Sequence, residues 1–307
     1  MKKILALALS VMMLFALVAC GGDAAETTAA DTAAKTEEVV DTTAADTEAE
    51  VTTETPVEKK VFRVAMECAY APYNWAQDTD ANGAVAIADT NMYAYGYDVI
   101  IAKKIAEANN WDLEIVKLDW DSLIPALQAG TVDAVIAGQS ITADRLEQVD
   151  FSTPYYYATI VTLVKNDSVY ANAKSVADLK GATGTSQLGT IWYDNCLGQI
   201  PEVNMLPAQE TAPAMLVALN AGTCDVVVTD RPTGAAACSA YSNFVMLDFY
   251  GTDGDYVVSD EDINIGISVQ KGNTEMLDAI NAVLAEMTAS DYDELMNEAI
   301  SVQPLSE

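Results

Sequence analysis

The sequence AVIAGQSITADR, residues 134–145, joins a short apolar strand to a polar turn and a helix start. The strand, Ala134 to Ala137, ends at Gly138, and Thr142 is placed to cap a helix that carries Arg145 in its first turn. Backbone N–H groups, hydroxyls and a guanidinium would therefore meet at one strand end, and such donors bind carboxylates. The pattern predicts an anion site in an alternating α/β fold.

The overall composition excludes several classes of function. The chain has 307 residues, enough for two domains, and its 51% hydrophobic residues can form sizeable cores. Its net charge is −31, from 46 acidic and 15 basic residues, so we expect no nucleic-acid partner, because phosphate binding needs clustered Lys and Arg. The sequence contains no histidine, which excludes His-based triads and zinc sites with imidazole ligands.

The five cysteines show no metal-binding spacing. No CxxC pair occurs among Cys20, Cys68, Cys196, Cys224 and Cys238, which argues against a thiolate metal cluster. The last three could include one disulfide or remain free, partly buried thiols. We predict no metal and no cofactor.

The N-terminal segment predicts a secreted lipoprotein. Residues 1–19 combine two lysines with an apolar run from Ile4 to Val18, which is short for a membrane span and typical of a signal peptide. The run closes with LVACG, residues 17–21, which resembles the bacterial lipobox, where Cys20 would be lipidated and become the mature N-terminus. An ordinary signal peptide or an uncleaved anchor is the alternative. Residues 20–60 contain no aromatic residue and predict a disordered acidic tether.

From Val61 onward, short apolar strands alternate with amphipathic helices, which is typical of an α/β fold. We predict strands at 61–66, 113–118, 226–228 and 263–269, and helices at 97–110, 122–129, 211–221 and 273–290. The β-rich run 159–165 is long enough to cross between two lobes.

Several motifs, in one order along the chain, resemble bacterial extracellular solute-binding proteins of family 3, the receptors of polar amino acid ABC transporters. They are GYDV (96–99), DWDSLIPALQAG (119–130), AGQSITADR (137–145), VDFSTPYY (149–156), DLKG (178–181), QLGT (187–190) and DVVVTDRP (225–232). The resemblance extends from about Val61 to the C-terminus. It implies a type II periplasmic-binding-protein-like α/β fold, in which two crossing strands join two lobes and the ligand lies between them.

The resemblance also implies where the lobes begin and end. Residues 61–154 and 263–307 would form lobe 1, and residues 155–262 would form lobe 2 with the hinge strands. The crossings would lie near 155–159 and 261–264. The lobes would close around the ligand by a hinge motion.

Family positions imply roles for the residues of the opening motif. Arg145 matches the ligand of the α-carboxylate, because its planar fork can bind both oxygens. The Gly138 N–H and the Ser140 hydroxyl would share that anion. The Ala137 carbonyl would accept from the α-ammonium group.

Other positions imply the remaining contacts. Asp230 follows a valine strand and matches the partner of the α-ammonium, and it can also cap the next helix. Tyr70 and Trp120 match aromatic walls over the ligand side chain. Aromatic residues are often plain core, and for Trp75 a core position and a wall of the site are both left open. Glu67 matches an acid that meets the ligand side chain; the alternative is an exposed loop acid.

A loop of the second lobe completes the implied site. Gln187, Thr190 and Ile191 match this contact loop, and free N–H groups at the start of a helix over 191–196 could meet the carboxylate. The stretch 79–92 is an insertion relative to the family and could border the cleft.

These residues predict a binding protein rather than an enzyme. It would be a monomer, anchored outside the cell membrane, that passes a polar or basic L-amino acid to an ABC permease. An acidic ligand is disfavoured, because Glu67 would face a like charge. The alternatives are a dehydratase-like enzyme on the same fold and an amino acid sensor.

Overall fold

The computed structural model describes residues 59–304. The predicted signal peptide, the lipidated Cys20 and nearly all of the predicted tether lie outside the described residues. Within residues 59–304, no helix combines the length and the apolar character that crossing a membrane requires.

Sixteen short strands form four sheets in the described part of the chain. The strands are β1 (Val61–Met66), β2 (Ala69–Tyr70), β3 (Asn74–Gln77), β4 (Val85–Ala86), β5 (Tyr93–Tyr95), β6 (Asp112–Lys117), β7 (Ala134–Val135), β8 (Val149–Phe151), β9 (Tyr156–Tyr157), β10 (Ile160–Lys165), β11 (Thr183–Thr185), β12 (Asn204–Met205), β13 (Val226–Asp230), β14 (Phe244–Leu247), β15 (Asn264–Ile265) and β16 (Ser268–Gln270). The first sheet has the order β6-β1-β7-β16-β8, and the second has the order β12-β11-β13-β10-β14. A third sheet has the order β2-β3-β5-β4, and β9 pairs with β15.

Helices alternate with these strands, which confirms the predicted α/β class. They are α1 (Tyr97–Ala108), α2 (Leu123–Gln128), α3 (Ala143–Gln148), α4 (Ala212–Asn220), α5 (Arg231–Ala240), α6 (Asp260–Ile263), α7 (Thr274–Leu284) and α8 (Ala289–Val302). Thr211 and Asn273 cap α4 and α7 with their side chains, as the sequence pattern at these positions suggests.

The chain passes twice between the first and second sheets. It leaves the first sheet after β8 and returns to it at β16, and the two connections pair antiparallel through Tyr156 with Ile265 and Tyr157 with Asn264. The cores of both sheets are built from continuous apolar runs, such as Val226–Val228, whose side chains are buried. Central strands covered on both faces have this composition.

Two predicted elements differ from the structure. The prediction that residues 159–165 cross between lobes is wrong, since β10 lies inside the second sheet between β13 and β14. The predicted single helix over 273–290 is two helices, because Thr288 and Asp291 form a capping box that starts α8. In both places the local sequence pattern fits the predicted element and the observed one equally well, and contacts elsewhere in the fold determine which one forms.

Candidate functional site

A small cavity of about 10 Å³, room for about one water molecule, lies between loops of the first and second sheets, so an amino acid enters only when the two sides separate. Nine residues line it: Tyr70, Trp120, Gly138, Ser140, Arg145, Gln187, Thr190, Ile191 and Trp192. All but Trp192 are site residues named from the sequence. The structure therefore brings together residues that are up to 122 positions apart, from Tyr70 to Trp192.

Arg145 is held in place by contacts from both sides of the cavity. The Thr142 side chain accepts from the Arg145 backbone N–H at 3.3 Å and caps α3, as predicted. The guanidinium donates to the Ser140 carbonyl at 2.9 Å and to the Gly189 carbonyl at 3.1 Å. It also lies 5.4 Å from the ring centre of Trp120. Burial lowers the pKa of Arg145 to about 10, which leaves it cationic at neutral pH.

Gly138 supplies a tight turn against the aromatic wall. Its φ is +64°, and a Cβ there would come within 2.6 Å of Cε1 of Tyr70. Its backbone N–H donates to the Tyr155 hydroxyl at 3.2 Å. In this structure the N–H is therefore engaged by a residue 17 positions away, and its contact with a ligand carboxylate stays a prediction.

A buried polar network supports that turn. The Tyr155 hydroxyl donates to Asp98 Oδ1 at 2.6 Å, and Asn74 Nδ2 donates to Asp98 Oδ2 at 2.7 Å. Burial raises the pKa of Asp98 to about 7. The sequence analysis missed this network. The available signal was an acid in the GYDV motif, in the first turn of α1, where a carboxylate is favourable.

Asp230 reaches the cavity through Tyr70. Its carboxylate accepts from the Thr233 N–H and hydroxyl, both at 2.9 Å, and from the Tyr70 hydroxyl. It is 1% exposed, and burial raises its pKa. The helix-capping function is present, and Asp230 itself does not line the cavity. The Tyr70 ring stacks on Tyr73, with 4.7 Å between ring centres.

Glu67 is buried, so the alternative of an exposed loop acid is wrong. Gln187, from the second sheet's side, donates its Nε2 to Glu67 Oε2 at 3.2 Å. Burial raises the pKa of Glu67 to about 7, and the nearby Asp119 adds to the effect. Glu67 lines an adjoining cavity of about 340 Å³ that shares Trp120 and is also lined by Glu210.

The second sheet contributes the opposite wall. Thr190 and Ile191 are nearly buried, and Thr190 donates its hydroxyl to the Gln187 carbonyl at 2.8 Å. Trp192 begins a π-helix, Trp192–Cys196, and its ring centre lies 6.0 Å from that of Tyr70. Sequence reasoning missed Trp192. The available signal was an aromatic residue directly after the matched loop.

Three other expectations concern residues outside this cavity. Ala137 is 1% exposed and does not line it. Trp75 is core, packed edge-on against Tyr95 at 5.4 Å between ring centres. The insertion at residues 79–92 contributes β4 to the third sheet and lines no part of the cavity. The four described cysteines are free thiols, and the described residues hold no His/Cys/Asp/Glu cluster suited to a metal ion.

A cavity between two α/β sheets, closed by side chains from both, is the architecture of solute-binding proteins that close around a ligand. The sequence matches the family of bacterial extracellular solute-binding proteins, family 3, over residues 62–301. The chain belongs to this family, which confirms the resemblance carried by the motifs.

Individual relatives agree with this assignment. A probable histidine-binding protein of Neisseria gonorrhoeae is 28% identical over 246 residues, covering 77% of this chain and 81% of the relative. The ABC transporter glutamine-binding protein GlnH of Bacillus subtilis (strain 168) is 31% identical over 214 residues, covering 68% and 74%. The crystal structure of a substrate-binding protein of an amino acid ABC transporter is 30% identical and has a TM-score of 0.64, over 78% of this chain and 99% of that one.

Proposed function

We propose that this chain is an extracytoplasmic receptor that captures a polar or basic L-amino acid and passes it to an ABC permease. The observation that carries the proposal is the cavity in which Arg145 lies beside Tyr70, the hydrogen-bond donor to the buried Asp230. A cation that lines the cavity and a buried anion behind the Tyr70 hydroxyl fit the two charged groups of an amino acid. The relatives are named as a probable histidine-binding protein and a glutamine-binding protein, which supports this ligand class.

The carboxylate end of the ligand would bind at Arg145. The guanidinium now donates to two neutral carbonyls, and a carboxylate offers it stronger, charge-assisted hydrogen bonds. The Ser140 hydroxyl and the N–H groups of Thr190 and Ile191 would complete this end. The ammonium end would bind at Asp230, with the Ala137 carbonyl as a second acceptor.

The side chain of the ligand would extend between Tyr70 and Trp120 toward Glu67. An acid with two aromatic faces attracts a cation by ion pairing and cation–π contact, or holds an amide by hydrogen bonds. An acidic side chain would meet the carboxylate of Glu67, whose pKa is raised by burial and by the nearby charge of Asp119. We therefore propose weak binding of glutamate and aspartate.

The proposal also covers the lobes, the hinge and the membrane anchor. Residues 61–154 and 263–307 would form lobe 1, residues 155–262 lobe 2, and the paired β9 and β15 the hinge. A monomer would be anchored by lipidated Cys20 on a tether. Cys20→Ser should release the protein from membranes, and unchanged partitioning into detergent would contradict this anchor.

A calorimetric panel tests the ligand class. Purified protein is titrated with L-arginine, L-histidine, L-glutamine, L-glutamate and L-aspartate at moderate salt. We expect submicromolar to micromolar binding of at least one of the first three. Submicromolar binding of glutamate would contradict the function assigned to Glu67, and no binding in the panel would contradict the proposal. Proton NMR of the same mixtures over hours tests the dehydratase-like alternative, since an enzyme would convert the ligand.

A further inference from the structure

A second, larger cavity of about 280 Å³ is lined from both sides of the molecule. Trp75 and the chain around β2 and β3 form one wall. Helices α4 and α5 form the other wall, with Leu216 and a run of alanines. The end of α8 closes it at Gln303 and Pro304. Its volume is just below the usual range for small-molecule sites, about 300–1,000 Å³, so it suits a small ligand.

The walls of this cavity are apolar and uncharged. Of the described residues that line it, none is Asp, Glu, Lys or Arg, although the chain carries a net charge of −31. Cys68, which lines it, is a neutral thiol, because burial raises its pKa to about 12. A charged ligand would lose its hydration here without gaining a partner of opposite charge, so the walls select neutral, mainly apolar molecules.

One polar atom lacks a partner. Gln303 is 8% exposed, and its buried Nε2 has no hydrogen-bond partner among the described residues. A buried donor without an acceptor is unfavourable, and a ligand that supplies the acceptor removes this cost. Nε2 lies beneath the cavity surface, and a rotation of the Gln303 amide would present it to a ligand. The cavity would then combine an apolar surface with one hydrogen-bond donor, the usual composition of a small-molecule site.

The cavity also touches the amino acid site. Thr233 lines it and donates its hydroxyl to Asp230 Oδ2 at 2.9 Å. Asp230 in turn accepts from Tyr70, which belongs to the first sheet's side. The two sides of the molecule are placed so that Gln187 donates to Glu67 across the first cavity. With the sides in this placement, a molecule in the second cavity would contact both of its walls.

We propose that this cavity binds a neutral, mainly apolar small molecule carrying one hydrogen-bond acceptor, and that this second ligand raises the protein's affinity for its amino acid. Both ligands favour the arrangement in which the two sides are in contact. Binding of one therefore assists the other, and the effect is reciprocal.

Acetophenone and α-methylstyrene are suitable probes, because they share one shape and only acetophenone has an acceptor oxygen. Their dissociation constants are measured by NMR titration without amino acid. We expect acetophenone to bind several-fold more tightly than α-methylstyrene, and Gln303→Leu to remove that difference. Equal affinities for the parent protein would overturn the function assigned to Gln303.

Two variants of α5 locate the binding. Ala240 lines the cavity and Ala235 does not, and both are partly exposed. Ala240→Phe should fill the space and abolish acetophenone binding, while Ala235→Phe should leave it unchanged. No acetophenone binding up to its solubility limit, or binding that Ala240→Phe does not alter in a folded protein, would overturn the proposed site.

Calorimetry tests the coupling. L-arginine and L-glutamine are titrated with and without saturating acetophenone, and we expect roughly fivefold tighter binding of the amino acid, at the low end of typical coupling. An unchanged or weaker amino acid affinity would overturn the coupling. If neither amino acid binds under any condition, the proposed transport function fails, whereas the acetophenone titrations still decide the second site.

Discussion

Replacing Arg145 should remove most of the affinity for an amino acid. Its guanidinium is the cation among the residues that line the first cavity, and it is fixed by the Ser140 and Gly189 carbonyls and by Trp120. In Arg145→Ala the ligand carboxylate would be desolvated without a charged partner. In Arg145→Lys the charge remains, but the two parallel donors are lost.

The size of the effect follows from this environment. Breaking a fully buried ion pair costs about 3–5 kcal/mol, and Arg145 is only partly buried, so we take the lower value. About 3 kcal/mol corresponds to a roughly 100-fold weaker affinity for Arg145→Ala. Losing one charge-assisted hydrogen bond, about 1.5 kcal/mol, gives roughly tenfold for Arg145→Lys. Stability should fall by no more than about 2 kcal/mol in either case, since the lost partners are two carbonyls.

Calorimetry with the best amino acid of the panel measures these affinities. Arg63→Ala is the matched control, because it removes the same charge from a half-exposed pair with Asp133, away from the cavity. Circular dichroism melts show that each variant is folded. A folded Arg145→Ala that binds within fivefold of the parent, or an Arg63→Ala that weakens binding equally, would refute the reasoning.

Three further predictions follow from the buried groups. The pKa of Glu67 is about 7, so its carboxylate becomes protonated as the pH falls. The affinity of the parent protein for L-arginine should therefore drop by up to ~30-fold from pH 8 to pH 5.5. The affinity of Glu67→Gln should not change over this range. An affinity of the parent protein for L-arginine that does not change with pH would contradict this prediction. Gly138→Ala and Gly181→Ala both place Ala at positive φ, costing about 1 kcal/mol. Only Gly138→Ala would also displace Tyr70, so only this variant should bind the amino acid more weakly, by roughly tenfold. Equal amino acid affinities of the two variants would contradict a binding function for Tyr70. Asp98→Ala leaves two buried donors unpaired and should lower the free energy of unfolding in urea by about 2–5 kcal/mol, and a loss under 1 kcal/mol would contradict the network.

Much of the fold and the site could be predicted because the deciding signals are local. The valine run before Asp230 indicates a buried strand, and Asp before Arg-Pro indicates a helix cap, and both are present in the structure. The cap at Thr142 likewise depends only on residues within one turn. Order and spacing of the motifs then placed these elements in one family.

The missed features depend on contacts between distant residues. The Gly138 N–H is taken by Tyr155, and nothing in the turn itself shows that a tyrosine will return to it. The burial of Glu67 is completed by Gln187, 120 positions later in the chain. An apolar run such as 160–165 fits a crossing strand or a central strand equally well, and only its pairing with β13 and β14 decides.

The hydrogen bonds that join the two sides at the cavity are made by the proposed ligand-binding groups themselves: Arg145 to Gly189, Gln187 to Glu67 and Tyr70 to Asp230. Binding of an amino acid is then an exchange of partners, in which the number of hydrogen bonds changes little. The favourable free energy of binding comes from giving the charged side chains a charged partner in place of a neutral one. A molecule that lacks either the carboxylate or the ammonium group would break these hydrogen bonds without replacing them. Release is eased for the same reason. When the ligand departs, these side chains pair again with one another and no charge is left buried alone, so the ligand-free state is not penalised by unpaired groups.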